Sequence, residues 1–445
     1  MITIHVNASK EYDVVLKAGV LSEAGTIIRD DITRRRGSSG MMRCRRVCVV
    51  SDETVAALYG GPNQALMTSL REAGFETTSF VFPGGEEHKN METIGNLLDH
   101  LTEHRFSRSD LLVALGGGIP GDVTGFAAAI YLRGIDFIQV PTTLLAAVDS
   151  SVGGKTGVNL PAGKNLAGAF WQPNAVLFDP AVLTTLSQPL LMDGLAEILK
   201  AGFITDNTVI YDALMAPYDP EDPTGTLKMP GAGAQPPEGW PGTGDDEEEA
   251  PAPTWTGTTE FADDTDSAVP DTDATEAGTT SIYQGLALGF AGARPPIFDH
   301  PEAMIRLIAK AVNIKRRIVE EDERESGRRK LLNLGHTIGH AIEKCSNYEI
   351  SHGAAVAMGT AIIAKAGQAR GWTQDGYADD ICAILQYFGY DLHCPYPVWA
   401  LTDVALNDKK VRGTRISLVI PDYPGHCVLK DIPSLELEDI IQKGL

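Results

Sequence analysis

The sequence predicts an α/β protein built on a parallel sheet over residues 1–185, followed by a mainly α-helical part over residues 186–445. Three observations carry this expectation. Short, continuous apolar runs bounded by turn residues recur through the first part, the mark of strands covered on both faces. Helical patterns alternate with those runs, the order that gives parallel pairing. From about Pro189 onward the apolar residues recur instead at three- and four-residue steps, as on helices packed by one face. A chain of 445 residues with 43% hydrophobic content is long enough to bury two cores.

Taken in order, the expected strands are VCVVSD (47–52), TTSFVFP (77–83), LLVAL (111–115), FIQVP (137–141) and AVLFD (175–179). The net charge of −22 is concentrated in one place. Residues 217–281 hold sixteen Asp and Glu against one Lys, a net of −15 that leaves −7 over the other 380 residues. Rich in Pro, Gly and Thr and poor in aliphatic side chains, that segment buries too little apolar surface to offset the entropy of ordering it, and reads as a disordered insertion. The balance gives no basic surface for nucleic acid.

No run approaches the ~18 apolar residues of a membrane helix, and the start MITIHVNASKEYDVVLKAG lacks the layout of a signal peptide. The expectation is a cytoplasmic protein with neither a membrane nor a nucleic-acid partner. Six scattered cysteines without C-x-x-C spacing read as reduced thiols.

The first chemical motif follows LLVAL. In GGGIPGDVTGF, Gly116, Gly118 and Gly121 satisfy G-x-G-x-x-G between a strand and a helix-like segment, the context of a pyrophosphate loop in a Rossmann-like domain. Tight strand-to-helix turns use glycines for other reasons too, so the motif alone leaves a dinucleotide open. Downstream, GGKT suggests a phosphate-binding P-loop, but the pattern requires glycine at position 149, where Asp149 stands. What remains is a glycine-dense segment presenting Asp149, Lys155, Lys164 and Asn165, a set suited to a phosphate ester and a hydroxyl.

Three helical segments carry the rest. DGLAEILKAG places Glu197 three residues before Lys200, either a surface ion pair or a carboxylate packed closely among small neighbours. In AMIRLIAKAVNIKRRIVEE, Lys315 falls in the apolar stripe Met304, Leu307, Ala311, Ile318, Val319; it either extends to the edge or needs an anion. In LNLGHTIGHAIEK, His336, His340 and Glu343 share a helical face. Thr337 stands where H-E-x-x-H requires glutamate, which excludes a zinc protease of that type. His336, His340 and His352 with Glu197 make either a metal site or a set of core histidines, and spacing alone leaves both open.

Together, GGGIPGD, the block from Pro141 to Phe170, GLAEILK, DERESGRR, LNLGHTIGHAIE, SHG and NDKK resemble the 3-dehydroquinate synthase family within the sugar phosphate cyclases. The resemblance runs from about residue 45 to 425, apart from the insertion. It implies a dehydroquinate synthase-like fold with an NAD-binding domain over 1–185 and a metal- and substrate-binding domain over 186–445. It also implies bound NAD, one divalent metal, usually zinc with cobalt as a substitute, and conversion of 3-deoxy-D-arabino-heptulosonate 7-phosphate (DAHP) to 3-dehydroquinate in the shikimate pathway.

By that resemblance the metal ligands are Glu197, His336 and His352, and the catalytic set is Asp149, Lys155, Lys200, Glu325 and His340. Substrate contacts fall to Lys164, Asn165, Lys315, Arg329, Asn333 and one of Lys409 and Lys410. Arg133 matches an arginine that reaches a partner subunit's site, implying a homodimer. NAD contacts match Asp52, Glu86, Lys89, Gly117, Gly118, Asp122, Thr142, Thr143 and Thr185. The text SQPLLMDGLAE departs from the family's Pro-x-Arg-Glu element, and the acidic insertion is foreign to it. The rival readings are another sugar phosphate cyclase and a glycerol-dehydrogenase-like oxidoreductase.

Overall fold

The computed structural model describes residues 1–215, 295–407 and 414–445, with backbone alone at 38–43, 215 and 296. The acidic segment 217–281, and with it the expectation of disorder there, lies outside the described residues, as do Lys409 and Lys410. The described residues divide into two compact units, one of Met1–Ile198 with Ile305–Arg329 and one of Leu199–Met304 with Lys330–Leu445.

The first unit is organised by a seven-stranded sheet. Its strands are β1 (Ile2–Asn7), β2 (Glu11–Leu16), β3 (Arg46–Asp52), β4 (Glu76–Phe82), β5 (Leu111–Gly116), β6 (Asp136–Pro141) and, after a separate hairpin, β9 (Ala175–Phe178), in the order β1-β2-β9-β6-β5-β3-β4. All neighbours are parallel except β1 on β2. The segment β4-β3-β5-β6-β9 follows the doubly wound order 2-1-3-4-5, which reverses direction between β3 and β5 and leaves a ligand crevice at the carboxyl ends there. Successive residues Val47, Cys48, Val49 and Val50 are all buried, because both faces of β3 are covered; hence the unbroken apolar run.

Helices α1 (Ala24–Arg43), α2 (Ala65–Glu72), α3 (Met91–Glu103) and α4 (Gly118–Ile130) supply that cover. On one face Cys48, Val50 and Leu112 pack with Ile94, Leu97, Leu101, Val123 and Phe126 of α3 and α4. The segment 155–170, rich in glycine and polar residues, forms an antiparallel hairpin of β7 (Lys155–Leu160) and β8 (Gly163–Phe170). Gly157 and Gly168 face each other across it, with the Gly168 position 2.3 Å from the Thr156 carbonyl for any added Cβ. Helix α5 (Gln188–Thr205) follows, then α6 (Thr208–Met215), and α7 (Pro301–Glu321) contributes residues 305–321 to the first unit.

The second unit is centred on α9 (His352–Ala369), buried along most of its length, so that it is apolar all round rather than on one stripe. Against it pack α8 (His336–Cys345), α10 (Tyr377–Tyr387) and α12 (Leu437–Gly444), while α11 (Val398–Asn407) packs on α8. A hairpin of β10 (Arg415–Tyr423) and β11 (His426–Pro433) completes it. Among the described residues no helix is long and apolar enough to cross a membrane.

Candidate active site

In the first unit the glycine motif joins β5 to α4. Gly116 has φ 157° and Gly117 caps the helix. A Cβ on Gly121 would lie 2.7 Å from Gln139 Oε1 on β6, so this glycine lets α4 settle against the sheet, the third-glycine role in a dinucleotide loop. The nine residues matched to NAD contacts sit around this same edge. Asp52 ends β3 and accepts a bond from Val55 N at 2.9 Å; Glu86 and Lys89 follow β4. Gly117, Gly118 and Asp122 open α4, and Thr142 and Thr143 follow β6. Thr185, in the turn after β9, contacts the Tyr59 hydroxyl at 2.8 Å.

These groups are tied together. Lys89 is buried and lies 2.5 Å from the Asp122 carboxylate, and it donates to Asn165 Oδ1 at 2.7 Å. Asn159 Nδ2 donates to Glu86 Oε1 at 2.8 Å. Burial pushes the Asp122 carboxyl up against the opposing pull of Lys89.

Beside the hairpin a second set of charges converges from distant sequence. Lys315, 7% exposed on α7, reaches the Asp149 carboxylate at 2.6 Å and also its carbonyl. The anion that a lysine in an apolar stripe requires is therefore a protein carboxylate. Lys155 pairs with Glu325 at 2.5 Å. Arg329, 1% exposed, donates to the Gly153 carbonyl at 3.0 Å and to the Glu323 carbonyl.

The loop carrying Glu325 and Arg329 is closed by Asp322, whose carboxylate accepts from the backbone N of Ser326 at 2.9 Å, Gly327 at 2.6 Å and Arg329 at 3.1 Å. Burial opposes ionisation of Asp322, but these donors outweigh it and hold the carboxyl down to about 2. Sequence reasoning missed the roles of Asp322 and Glu323; the Ser326-Gly327 pair is the local turn signal. Lys164 and Asn165 are exposed on β8. Arg133 is exposed with φ 68°, beside the exposed Leu132 and near Ile130.

In the second unit three imidazoles meet because α8 and α9 touch through small residues. A Cβ on Gly335, at φ 74°, would lie 2.3 Å from Thr360 Oγ1 and 2.6 Å from the Val356 carbonyl, and one on Gly339 3.0 Å from the Ala355 carbonyl. The rings of His336 and His340 lie 5.3 Å apart, those of His336 and His352 5.4 Å, and those of His340 and His352 6.3 Å.

His336 is buried, and its Nδ1 donates to the Leu334 carbonyl at 2.9 Å. Its Nε2 is thereby the lone-pair nitrogen, the arrangement of a metal-ligating imidazole. Burial, then the charge of Lys200 and the other two imidazoles, drives its pKa well below the ordinary value, so the ring is neutral. Lys200 donates to the Leu332 carbonyl at 2.8 Å, and Asn333 to the Lys330 carbonyl at 3.2 Å. His340, Glu343 and His352 each offer a ligand atom within 4.8 Å of one another. Glu197 and Lys200 on α5 are 3% and 4% exposed, so they are packed rather than a surface pair.

The fold is shared by solved cyclases. A 2-deoxy-scyllo-inosose synthase, solved with carbaglucose-6-phosphate, NAD+ and Co2+, is similar with TM-score 0.71 at 21% identity, covering 100% of each chain. ValA, a 2-epi-5-epi-valiolone synthase from Streptomyces hygroscopicus subsp. jinggangensis 5008 solved with NAD+ and Zn2+, gives 0.68 at 21% identity over 99% and 98% of the chains. The fold is that of the dehydroquinate synthase-like cyclases.

Sequence narrows the class further. The 3-dehydroquinate synthase of Streptococcus sanguinis (strain SK36) is 34% identical over 436 residues, 97% of each chain, and that of Streptococcus suis (strain 05ZYH33) 33% identical over 433 residues, again 97% of each. Residues 79–193 match the family described as 3-dehydroquinate synthase N-terminal, and residues 293–411 that described as 3-dehydroquinate synthase C-terminal. The chain belongs to the 3-dehydroquinate synthase family.

Proposed function

We infer that this chain converts DAHP to 3-dehydroquinate and phosphate, as a carbon–oxygen lyase of the shikimate pathway (EC 4.2.3.4). The observation that carries the inference is 34% identity over 97% of both chains with a 3-dehydroquinate synthase. The cofactors are NAD and one divalent metal, zinc or cobalt. NAD takes the crevice edge of the first part, 1–185, with contacts from Asp52, Glu86, Lys89, Gly117, Gly118, Asp122, Thr142, Thr143 and Thr185. The doubly wound order supports this, since ligands of such sheets bind where strand order reverses.

The metal and substrate belong to 186–445 with the hairpin residues. Glu197, His336 and His352 hold the metal. A neutral, buried His336 with its Nδ1 already bonded supports that assignment. So does the burial of Glu197 one helical turn before Lys200, whose charge acts on His336.

Bound there, NAD supplies a reversible hydride acceptor and the metal supplies Lewis acidity. The chain's own residues orient and move protons. His340 takes the proton of the C5 hydroxyl. Lys155, Lys164 and Asn165 hold the phosphate as it is eliminated, and Arg133 of a partner copy reaches into the site. Lys315, Arg329 and Asn333 hold the carboxylate through ring closure, and one of Lys409 and Lys410 adds a further substrate contact. Asp149, Lys200 and Glu325 position the hydroxyls.

The exposure of Arg133 just after Ile130 and Leu132, 40% and 42% exposed, supports a homodimer. A cytoplasmic location without membrane or nucleic-acid partners completes the reading. The test incubates the purified protein with DAHP, NAD and zinc and follows phosphate and 3-dehydroquinate together. Both products in equal amounts with no net NADH are expected; neither product from metal- and NAD-loaded protein would overturn the inference.

A further inference from the structure

We propose that Glu343 is a positioning residue that orients His352 toward the metal and couples it to His340. The proposal rests on the reading above in which His352 is a ligand. Glu343 is 7% exposed on α8, and its two oxygens point to two different rings. Oε1 lies 3.5 Å from His352 Nδ1, and Oε2 lies 4.0 Å from His340 Nε2. The first contact crosses from α8 to α9; the second is one helical turn along α8.

A carboxylate facing Nδ1 favours the tautomer with the proton there, which leaves Nε2 as the lone-pair nitrogen. His336 reaches the same state by a different route, through the Leu334 carbonyl. Two imidazoles with their Nδ1 sides each turned to an oxygen present two Nε2 lone pairs, as tetrahedral zinc sites use them. The separations of 3.5 and 4.0 Å are longer than a hydrogen bond, so the contacts are electrostatic at this geometry and have room to tighten when a cation draws His352 into place. The second oxygen faces the His340 ring at 4.0 Å, so one buried carboxylate stands between the ligand and the group that handles the hydroxyl proton.

The decisive experiment measures zinc affinity by chelator competition, with the Co2+ ligand-field spectrum of the substituted protein as a second readout. Wild type, Glu343→Gln, Glu343→Asp and His336→Ala are compared. Glu343→Gln keeps shape and loses charge; it is expected to bind one metal with affinity lowered roughly 10- to 100-fold and a shifted Co2+ spectrum. Glu343→Asp is expected to recover part of that loss. Should Glu343→Asp fail to fold, the isosteric glutamine variant still decides the matter.

Loss of metal in His336→Ala with wild-type affinity and spectrum in Glu343→Gln would overturn the role of Glu343 alone. Full retention of metal in His336→Ala would overturn the ligand assignment beneath it. A second equivalent of metal that disappears in Glu343→Gln would also overturn the proposal, because Glu343 would then be a ligand itself.

Discussion

The two units solve the problem of buried charge in opposite ways. In the first unit three lysines near the candidate site each face a carboxylate, Lys89 with Asp122, Lys155 with Glu325 and Lys315 with Asp149, while the buried Arg329 is held by backbone carbonyls. In the second, three imidazoles gather within about one ring-to-ring contact, and the nearby lysine adds positive potential. Burial, then the nearby lysine and the other two imidazoles, keeps His336 neutral and makes it a donor of electron pairs; in the first unit the lysines face carboxylates instead. The lesson is that one region gathers like groups around a neutral imidazole, whereas the other sets opposite charges against each other.

The comparison is broken most severely at the metal side. His336→Ala is expected to abolish metal binding and turnover together, checked by metal analysis of the purified protein alongside the product assay. His340→Ala, next in size, is expected to retain a full equivalent of metal while kcat falls by roughly 10²–10⁴, the usual range for a proton-transfer group. If both variants lose metal equally, the division of labour between the two histidines is not as drawn.

On the side of paired charges the expected effects are smaller. Asp149→Asn leaves the Lys315 ammonium without its carboxylate and is expected to cost roughly 2 kcal/mol of stability, less than a fully buried pair because Asp149 is partly exposed; denaturant unfolding measures it.

Asp322 gives a test by pH. Its carboxyl is held down to about 2 from an ordinary 3.8, so its contribution is present above about pH 4 and is lost as the pH falls through 2. The stability gap between wild type and Asp322→Asn is therefore constant near neutrality and closes between pH 4 and 2, read from melts across that range. The smallest effect is expected from deleting 217–281, which should leave turnover nearly intact.

Much of the fold was legible because its signals were local. The five parallel strands β3, β4, β5, β6 and β9 declare themselves as short apolar or β-branched runs, all but the edge strand β4 largely buried, and each lies within a residue or two of its expected place. The hairpin β7–β8 did not, since glycine, lysine and asparagine read as loop; its strands are half exposed and owe their form to cross-strand glycine contacts. The edge pair β1–β2 was passed over for a similar reason, being short and, in β1, exposed on alternate residues.

At the site, one-face spacing indicated His336, His340 and Glu343, whereas the anion opposite Lys315 lies 166 residues away in sequence, beyond any local pattern. Glu343 shows the limit most sharply. Its step of three residues to His340 can be read from the sequence, but its contact with His352 depends on how two helices pack.

That packing sets a mechanical tolerance. With Gly335 and Gly339 pressed against the backbone of α9, α8 is keyed into its neighbour like a tooth in a rack. A slip of one residue would advance His336 by about 1.5 Å and turn it by about 100°, against a working allowance of about 0.5 Å for a functional constellation. The alignment of the imidazoles is thus fixed by atoms that glycine lacks, and a single added methyl group at position 335 would throw the register off without touching a histidine.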